Sequence, residues 1–473
     1  VIDWEKFNSI INGLPFKLTD EQYDFLVKFI NGEGHWSLLG EGGSGKSTIQ
    51  WILKLYYDQE IVFGGSSGIA TVNLPNNIGV ATGHSLFNLS IGEAIESDYR
   101  KRAHDVLTTS DLVKVIVLDE GFCYNSQDLD QILHQIRKLN KRTRKRSQRD
   151  IRLLIVGDPA QRLPIVDKEL KHKLTEKFGH WLMFRSSVWE QANFKTYVFQ
   201  EVKRFTGSEP KDIWFQKALK ILRYGIEQHY DKVIEGFNRK LVRDNHSKDA
   251  VYIGPTNKLV NVYNDQYLNR NPNHKFTYEV EFDKKYNKKA FPMDWEVTLA
   301  PDCKVICLVN LPDLGLQNGL VLTVTQCSSE GIYALKDSGE QVFVPIHEFK
   351  EDEIYVADET KDGELRKVQK RRHVASAYML PVKLCAGFVS ARTQGRTFNC
   401  EGLIDFGSDW HDWMYTKEGM EDFSVSMAYV NFSRFTNIDY VKLKNPMKKI
   451  HISVCRESIS FWFECLEEMK GYA

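Results

Sequence analysis

The chain has 473 residues, 42% hydrophobic and 27% charged, with 63 basic residues against 63 acidic ones. That length has room for roughly two to four domains with sizeable cores, and the composition is globular rather than fibrous or disordered. The zero net charge hides how charge is distributed along the chain, and no apolar stretch approaches the ~20 residues that span a bilayer.

No signal-peptide pattern opens the chain, and because it begins at Val1 its start reads as trimmed or as part of something longer. The eight cysteines are scattered, with Cys303 and Cys307 the closest pair. They complete no zinc pattern and read as reduced, mostly buried thiols of a soluble protein in a reducing compartment, cytoplasm or nucleoid.

The first informative element is an apolar strand, Trp36 to Leu39, running into Gly40-Glu41-Gly42-Gly43-Ser44-Gly45-Lys46-Ser47-Thr48 and then an apolar-periodic helix through Leu55. Every fixed position of the phosphate-loop pattern G-x-x-x-x-G-K-[ST] is filled. Gly40, Gly43 and Gly45 free the backbone so that N–H groups, including those of Ser44 and Thr48, can face phosphate oxygens at a helix N-terminus. Lys46 is placed to reach the β- and γ-phosphates and Ser47 to ligate Mg²⁺. The expected ligand is a nucleoside triphosphate with its magnesium.

Farther along, residues 91–108 form a short polar insertion. Val115 to Leu118 reads as a buried strand ending in Asp119 and Glu120, which puts two carboxylates at the sheet edge beside the phosphate loop. Asp119 is expected to hold the metal and Glu120 to orient and deprotonate the attacking water. A basic run over 137–152 reads as a solvated loop rather than a binding track. Ile151 to Val156 is a third continuous apolar strand, and its following turn carries Gln161, an amide able to donate to a γ-phosphate oxygen. Residues 321–378 alternate as β-strands with Gly, Asp and Ser turns, 348–364 are strongly acidic, and Ser458 onward reads as a closing helix.

These elements carry a resemblance. Leu18-Thr19-Asp20-Glu21-Gln22, the stretch from Phe63 to Asn73 followed by Thr82-Gly83-His84-Ser85-Leu86-Phe87, and the turn from Gly157 to Val166 match superfamily-one helicase motifs in order and spacing. So do Phe199 to Arg204, Gly254 to Asn257 with Asn264, Leu314 to Gly319, Phe388 to Thr397, and Tyr429 to Arg434. The chain resembles the RecD/Dda/PIF branch of superfamily one from about Leu18 to Val441. It departs from the family at Ala391, where a nucleic-acid-contacting His is usual, and at Asn431 and Phe432, where small and aliphatic residues are usual. A viral or phage source suits such drift.

The resemblance implies two RecA-like α/β domains with parallel sheets. The first spans residues 1–200, with 91–108 placed as the strand-separating pin. The second spans 201–320 and 380–473, interrupted at 321–379 by a small Src-homology-like β-barrel. It implies that Arg204 and Arg434 report on the γ-phosphate from the second domain, that Gln394 links nucleotide and strand, and that Gln22 reads the adenine edge. Ser66, Thr82, His84, Thr256, Asn257 and Thr393 stand where the family contacts single-stranded DNA. Phe87 reads equally as a base stacker or as core. The implied activity is ATP-driven 5′ to 3′ movement on single-stranded DNA with unwinding of tailed duplexes, with replication or repair proteins as partners. An RNA helicase, or a nucleic-acid-stimulated ATPase that does not unwind, are the alternatives.

Overall fold

The computed structural model describes residues 2–65, 81–90, 92–108, 112–143, 150–202, 209–242, 250–283, 286, 288, 291, 293–309, 311, 314–316, 320–336, 338–361, 364–407 and 425–471, with backbone alone at 81, 105–106, 142–143, 351–361, 364–372 and 374. The chain divides into two compact units, Val1–Val260 with Phe388–Ala473, and Asn261–Gly387.

In the first unit, helices α1 (Trp4–Asn12) and α2 (Asp20–Asn31) precede a six-stranded sheet. Its strands are β1 (Trp36–Gly40), β2 (Ile61–Gly65), β3 (Ala81–Thr82), β4 (Val115–Asp119), β5 (Arg152–Gly157) and β6 (Lys195–Phe199), in the order β3-β2-β4-β5-β1-β6 with every pair parallel. The apolar runs are continuous because both faces are covered. On β4, Val115 and Val117 point into one core while Ile116 and Leu118 point into the other; on β5, Leu154 and Val156 part from Leu153 and Ile155 in the same way. Phe7, Phe25 and Phe29 from α1 and α2, with Ile49, Ile52 and Leu53 of α3 (Lys46–Tyr57), fill the first core. Leu129, Ile132 and Ile136 of α4 (Ser126–Thr143) fill the second. Each such side chain contributes roughly 1.5–3 kcal/mol by leaving water.

One buried face of α4 is polar rather than apolar. Gln127, Gln131 and Gln135 recur every four residues and hold the segment expected to be a pin. Gln127 Oε1 accepts from the Ala94 N–H at 2.7 Å, Gln131 Oε1 from the Ser90 N–H at 3.1 Å, and Gln135 Nε2 donates to the Lys101 carbonyl at 2.7 Å. Short helices at Glu96–Arg100 and Asp105–Thr108 give that segment its form.

The start of α4 also carries a buried acid. Asp128 accepts from the Asn125 N–H at 3.0 Å, and Asn125 Oδ1 accepts from the Asp128 N–H at 3.0 Å, a reciprocal cap. Burial pushes the Asp128 carboxyl up to about 7, only partly opposed by the Asn125 hydrogen bond. A group raised in the folded state contributes stability below its unfolded value and loses it as pH rises through the folded one. Asp128→Asn keeps the acceptor and removes the charge. Its melting temperature relative to the parent should therefore rise between about pH 5 and pH 8. A difference that stays flat across that range would mean that Asp128 does not titrate there.

After α5 (Pro210–Tyr224), a second sheet orders its strands Gly387–Val389, Val251–Gly254, Gly402–Ile404 and Val441–Leu443, the last three parallel. Helix α6 (Met427–Phe432) precedes the last of them. The closing helix α7 (Arg456–Gly471) joins the core of the first sheet instead of packing only with the second. Phe461 stacks on Phe184 with centroids 4.7 Å apart, and Trp462 and Cys465 are buried beside Val198.

The second unit is antiparallel β throughout its main sheet, which runs Gln341–Pro345, Gly331–Leu335, Val321–Ser328, Lys304–Cys307, Val382–Leu384. The alternation read over 321–345 is one face on a core and one face out. A long hairpin, His347–Lys361 with Glu364–Met379, extends from it. Strands ahead of Val321 belong to this unit, so it begins earlier than the expected insertion. Among the described residues the sheet order is open, and closure into a barrel is not part of it.

Candidate nucleotide site and nucleic-acid face

The carboxyl ends of β1, β4 and β5 open on a cavity of about 480 Å³ lined by Gln22, Gly43, Gly45, Lys46, Ser47, Thr48, Asp119, Glu120, Gln161, Gly395 and Arg434 among others. The phosphate loop curls as its glycines demand. Gly45 sits at φ +86°, and a Cβ there would collide with the Gln22 amide; a Cβ at Gly40 would collide with the Ser44 hydroxyl. The buried Ser44 hydroxyl has no hydrogen-bond partner among the described residues. Lys46 Nζ donates to the carbonyls of Gly40 at 2.7 Å and Glu41 at 2.9 Å, so its ammonium lies across the mouth of its own loop. A backbone cradle with an unmet hydroxyl and a resident ammonium is chemistry that suits a polyphosphate.

Asp119 ends β4 and accepts from Gln50 Nε2 at 2.6 Å. Burial raises the Asp119 pKa, the neighbouring Glu120 charge raises it further, and Gln50 and Lys46 pull it back. Ser47, exposed at the start of α3, lines the same cavity. A hydroxyl and a carboxylate there form a hard oxygen pair of the kind Mg²⁺ takes. Glu120 occupies the left-handed region at φ +50°, at the turn from β4 into the next helical turn. That conformation costs a non-glycine residue on the order of 1–3 kcal/mol and is typical of functional turns. Gln394 Nε2 donates to Glu120 Oε2 at 3.0 Å, which ties the residue after the second sheet's first strand to the β4 edge.

Gln161 is buried and its Nε2 donates to Asp158 Oδ2 at 3.3 Å, while its Oε1 has no partner among the described residues. Arg434 is 1% exposed yet lines the cavity. Its guanidinium donates to the Val430 carbonyl at 2.9 Å, the Ser433 hydroxyl at 2.8 Å and, weakly, the Arg396 carbonyl at 3.4 Å. Burial lowers its pKa, opposed by Glu120, Tyr429 and Asp158. Phe16, 46% exposed, lines the cavity, and its ring centroid lies 6.3 Å from that of Trp51.

Several expected roles change. Gln22 is in the cavity, but its Oε1 accepts from the Thr19 N–H at 3.1 Å in the capping box of α2, so one of the two groups needed to read an adenine edge is already engaged. Phe87 is 1% exposed in the core behind α4, so the core reading holds and the stacking reading does not. Thr393 is fully buried and its hydroxyl donates to the Ser390 carbonyl at 2.7 Å. Ser66 and Arg204 lie outside the described residues.

Thr82 and Thr256 cap the short helix after β3 and the helix after Val251–Gly254, accepting from the N–H groups of Ser85 and Leu259. His84 and Asn257 are exposed beside them; the inner part of the His84 side chain is partly desolvated, which lowers its pKa, and its ring centroid lies 5.5 Å from that of Tyr124. The four thus sit just beyond the carboxyl ends of parallel strands. Gln50 and Arg223 were not anticipated as site residues. The signal for both was a polar residue on the apolar face of an amphipathic helix.

The departures in the Arg434 motif have separate outcomes. Phe432 stacks on Phe237 with centroids 3.8 Å apart, so the ring replaces aliphatic packing with aromatic packing. Asn431 is fully buried, and neither its oxygen nor its nitrogen has a partner among the described residues. An unmet buried amide costs about 1–3 kcal/mol. Asn431→Ala should therefore raise stability by about 1 kcal/mol in a denaturant titration, helped by the better helix propensity of Ala. A loss of stability instead would mean that the amide is satisfied.

Comparison with known proteins agrees with this geometry. Residues 17–225 match the PIF1-like helicase family. The fold is similar to that of Bacteroides Pif1 bound to single-stranded DNA, with 20% identity, TM-score 0.74, and 96% of this chain and 98% of that chain covered. It is similar to Pif1 from Candida albicans at 19% identity and TM-score 0.71, covering 95% and 99%. Bacteroides Pif1 with ADP-AlF3 and single-stranded DNA gives 18% identity and TM-score 0.72, covering 96% and 98%. The search of curated proteins gave no match. Residues 17–225 are thus similar to the PIF1-like helicases, and nearly all of the chain's length shares the Pif1 fold.

Proposed function

We propose that this chain is an ATP-dependent DNA helicase that moves 5′ to 3′ on single-stranded DNA and unwinds duplexes with a single-stranded tail. The observation that carries the reading is the single cavity that joins the phosphate loop, the Asp119–Glu120 edge, Gln161 and Arg434, with Gln394 bonded to Glu120 across it. Such a site lets the state of a γ-phosphate be felt by groups from both sheets, which is what coupling hydrolysis to movement requires.

In this reading Lys46 leaves the Gly40 and Glu41 carbonyls and places its ammonium on the phosphates. Ser47 and Asp119 would hold Mg²⁺, which when bound neutralises charge on the β- and γ-oxygens. Glu120 orients a water and takes its proton. Arg434 supplies a guanidinium to the developing charge, and Arg204, which lies outside the described residues, is assigned the same task by its motif alone. Thr82, His84, Thr256 and Asn257 form the strand contacts, and the segment 91–108, pegged to α4, acts as the pin. No disulfide joins the eight cysteines, which supports a reducing compartment, and no helix among the described residues is long and apolar enough to cross a membrane.

The test compares 5′-tailed with 3′-tailed duplexes of one sequence. Unwinding of the 5′-tailed substrate alone is expected, with ATPase stimulated by single-stranded DNA. Affinity should fall linearly in log[salt] as phosphate contacts release counterions. Unwinding from a 3′ tail alone would overturn the direction of travel. Turnover indifferent to nucleic acid would overturn the motor.

A further inference from the structure

We infer that Arg223, on α5, is a positioning residue for ATP hydrolysis: it anchors Asp158 so that Gln161 and the helix that leads into Arg434 are aimed at the γ-phosphate. The inference rests on the ATPase reading above and goes beyond the motif residues that define it.

Arg223 has no exposed side-chain surface, and neither does Asp158. The guanidinium engages the carboxylate with both arms, Nη2 to Oδ1 at 2.8 Å and Nε to Oδ2 at 3.3 Å. Burial works against the Asp158 charge, but Arg223 holds the carboxyl below its usual range. Behind the pair, the guanidinium lies 3.9 Å over the Trp462 ring of α7. In front, Arg223 Nη1 approaches Glu41 of the phosphate loop at 3.7 Å, and the adjacent Tyr224 hydroxyl donates to the same Glu41 carboxylate at 2.9 Å. One side chain therefore touches the loop that grips the phosphates and the acid that holds Gln161.

The hydrogen-bond count at Asp158 separates a positioning role from a merely structural ion pair. Oδ1 takes Arg223 and the Ala160 N–H, while Oδ2 takes three donors, Gln161 Nε2, Arg223 Nε and the Tyr429 hydroxyl, each at 3.3 Å. A carboxylate oxygen offers about two lone pairs. Three donors on one oxygen are all held long, so Gln161 can turn to a γ-phosphate without leaving Asp158 unsatisfied. Tyr429 belongs to α6, two residues ahead of Asn431 and five ahead of Arg434, so the same oxygen also fixes that helix. Among the described residues two atoms of this buried cluster lack a hydrogen-bond partner, Arg223 Nη1 and Gln161 Oε1, Nη1 meeting Glu41 only at ion-pair range. A pair selected only to hold the fold together has no use for them, because replacement by packed apolar side chains is commonly neutral or better. They suit a cluster completed when nucleotide is bound.

The experiment uses Arg223→Lys, which keeps the charge and loses the fork, and Tyr429→Phe, which removes one hydroxyl and keeps the packing. In the full chain, kcat and KM for ATP are measured with single-stranded DNA present, together with melting temperature and affinities for ADP and for ADP with aluminium fluoride. For Arg223→Lys, kcat should fall about 10²-fold, as a displacement of about an ångström in a reacting site does. KM and ADP affinity should stay within a few-fold, and affinity for the aluminium fluoride complex should fall in parallel with kcat. Tyr429→Phe should move the same quantities less, in the same direction. Parent-like kcat in Arg223→Lys, or equal losses for ADP and the aluminium fluoride complex with a lowered melting temperature, would make Arg223 structural only. A parent chain that does not hydrolyse ATP would overturn the helicase reading itself, and this inference with it.

Discussion

Glu120→Gln should bind ATP with parent-like affinity and hydrolyse it about 10²–10⁴-fold more slowly, the usual span for removing a general base. The substitution is clean here because of how Glu120 is held. Its backbone sits in the left-handed turn after β4, and its side chain accepts from Gln394 Nε2 at 3.0 Å. A glutamine keeps the length, the turn and one oxygen for Gln394; what it loses is the capacity to take a proton. Lys46→Ala is the contrasting control. It removes the ammonium that bridges the Gly40 and Glu41 carbonyls, so both affinity and turnover should collapse. Rapid-quench hydrolysis beside an equilibrium nucleotide titration distinguishes the two cases. Parent-rate hydrolysis by Glu120→Gln would remove Glu120 from the role of base and leave Asp119 as the carboxylate to be tried.

How far this was legible in the sequence depended on whether a residue's role is set by its neighbours along the chain or by packing from elsewhere. The strands β1, β4 and β5 are unbroken apolar runs followed by polar turns, so their burial and the placing of Lys46, Ser47, Asp119, Glu120 and Gln161 at one edge follow from local pattern. Phe87 could not be decided locally: an aromatic one turn after His84 serves a strand or a core equally well, and only the packing of α4 against it settled the matter. Thr393 looked like a contact because of its motif, whereas a hydroxyl two residues after Ala391 is as able to turn inward to Ser390. Gln22 shows a conflict of two local signals. The same Thr-x-x-Gln spacing that marks a nucleotide-reading amide also makes a capping box, and the cap takes its oxygen.

The residues missed were those whose partners lie far away in sequence. Gln50 meets Asp119 across 69 positions and Arg223 meets Asp158 across 65. Each sits on the buried face of a helix, where a polar side chain is expected only if something satisfies it. The closing helix posed the same difficulty: Phe461 and Trp462 announce that α7 is buried, but not against which sheet.

Arg434→Ala should leave the KM for ATP within a few-fold and cut kcat by about 10³ or more, as loss of an arginine finger does. The distinction rests on where the guanidinium stands. It is buried at the cavity wall and spends its N–H groups on Val430, Ser433 and, weakly, Arg396, so it is aimed by the end of α6 and its neighbours rather than by bound nucleotide. Ground-state binding is carried by the phosphate loop and should survive its loss; charge that develops on the transferring phosphoryl should not be met. Arg434→Lys is the sharper variant. One ammonium cannot hold both the Val430 carbonyl and the Ser433 hydroxyl and still present a donor to the phosphate, because it lacks the planar fork. Its kcat should therefore stay close to that of Arg434→Ala, even though the positive charge is retained. Full turnover in Arg434→Lys would show that charge alone suffices, and that Arg434 serves the packing of its motif and not the transition state.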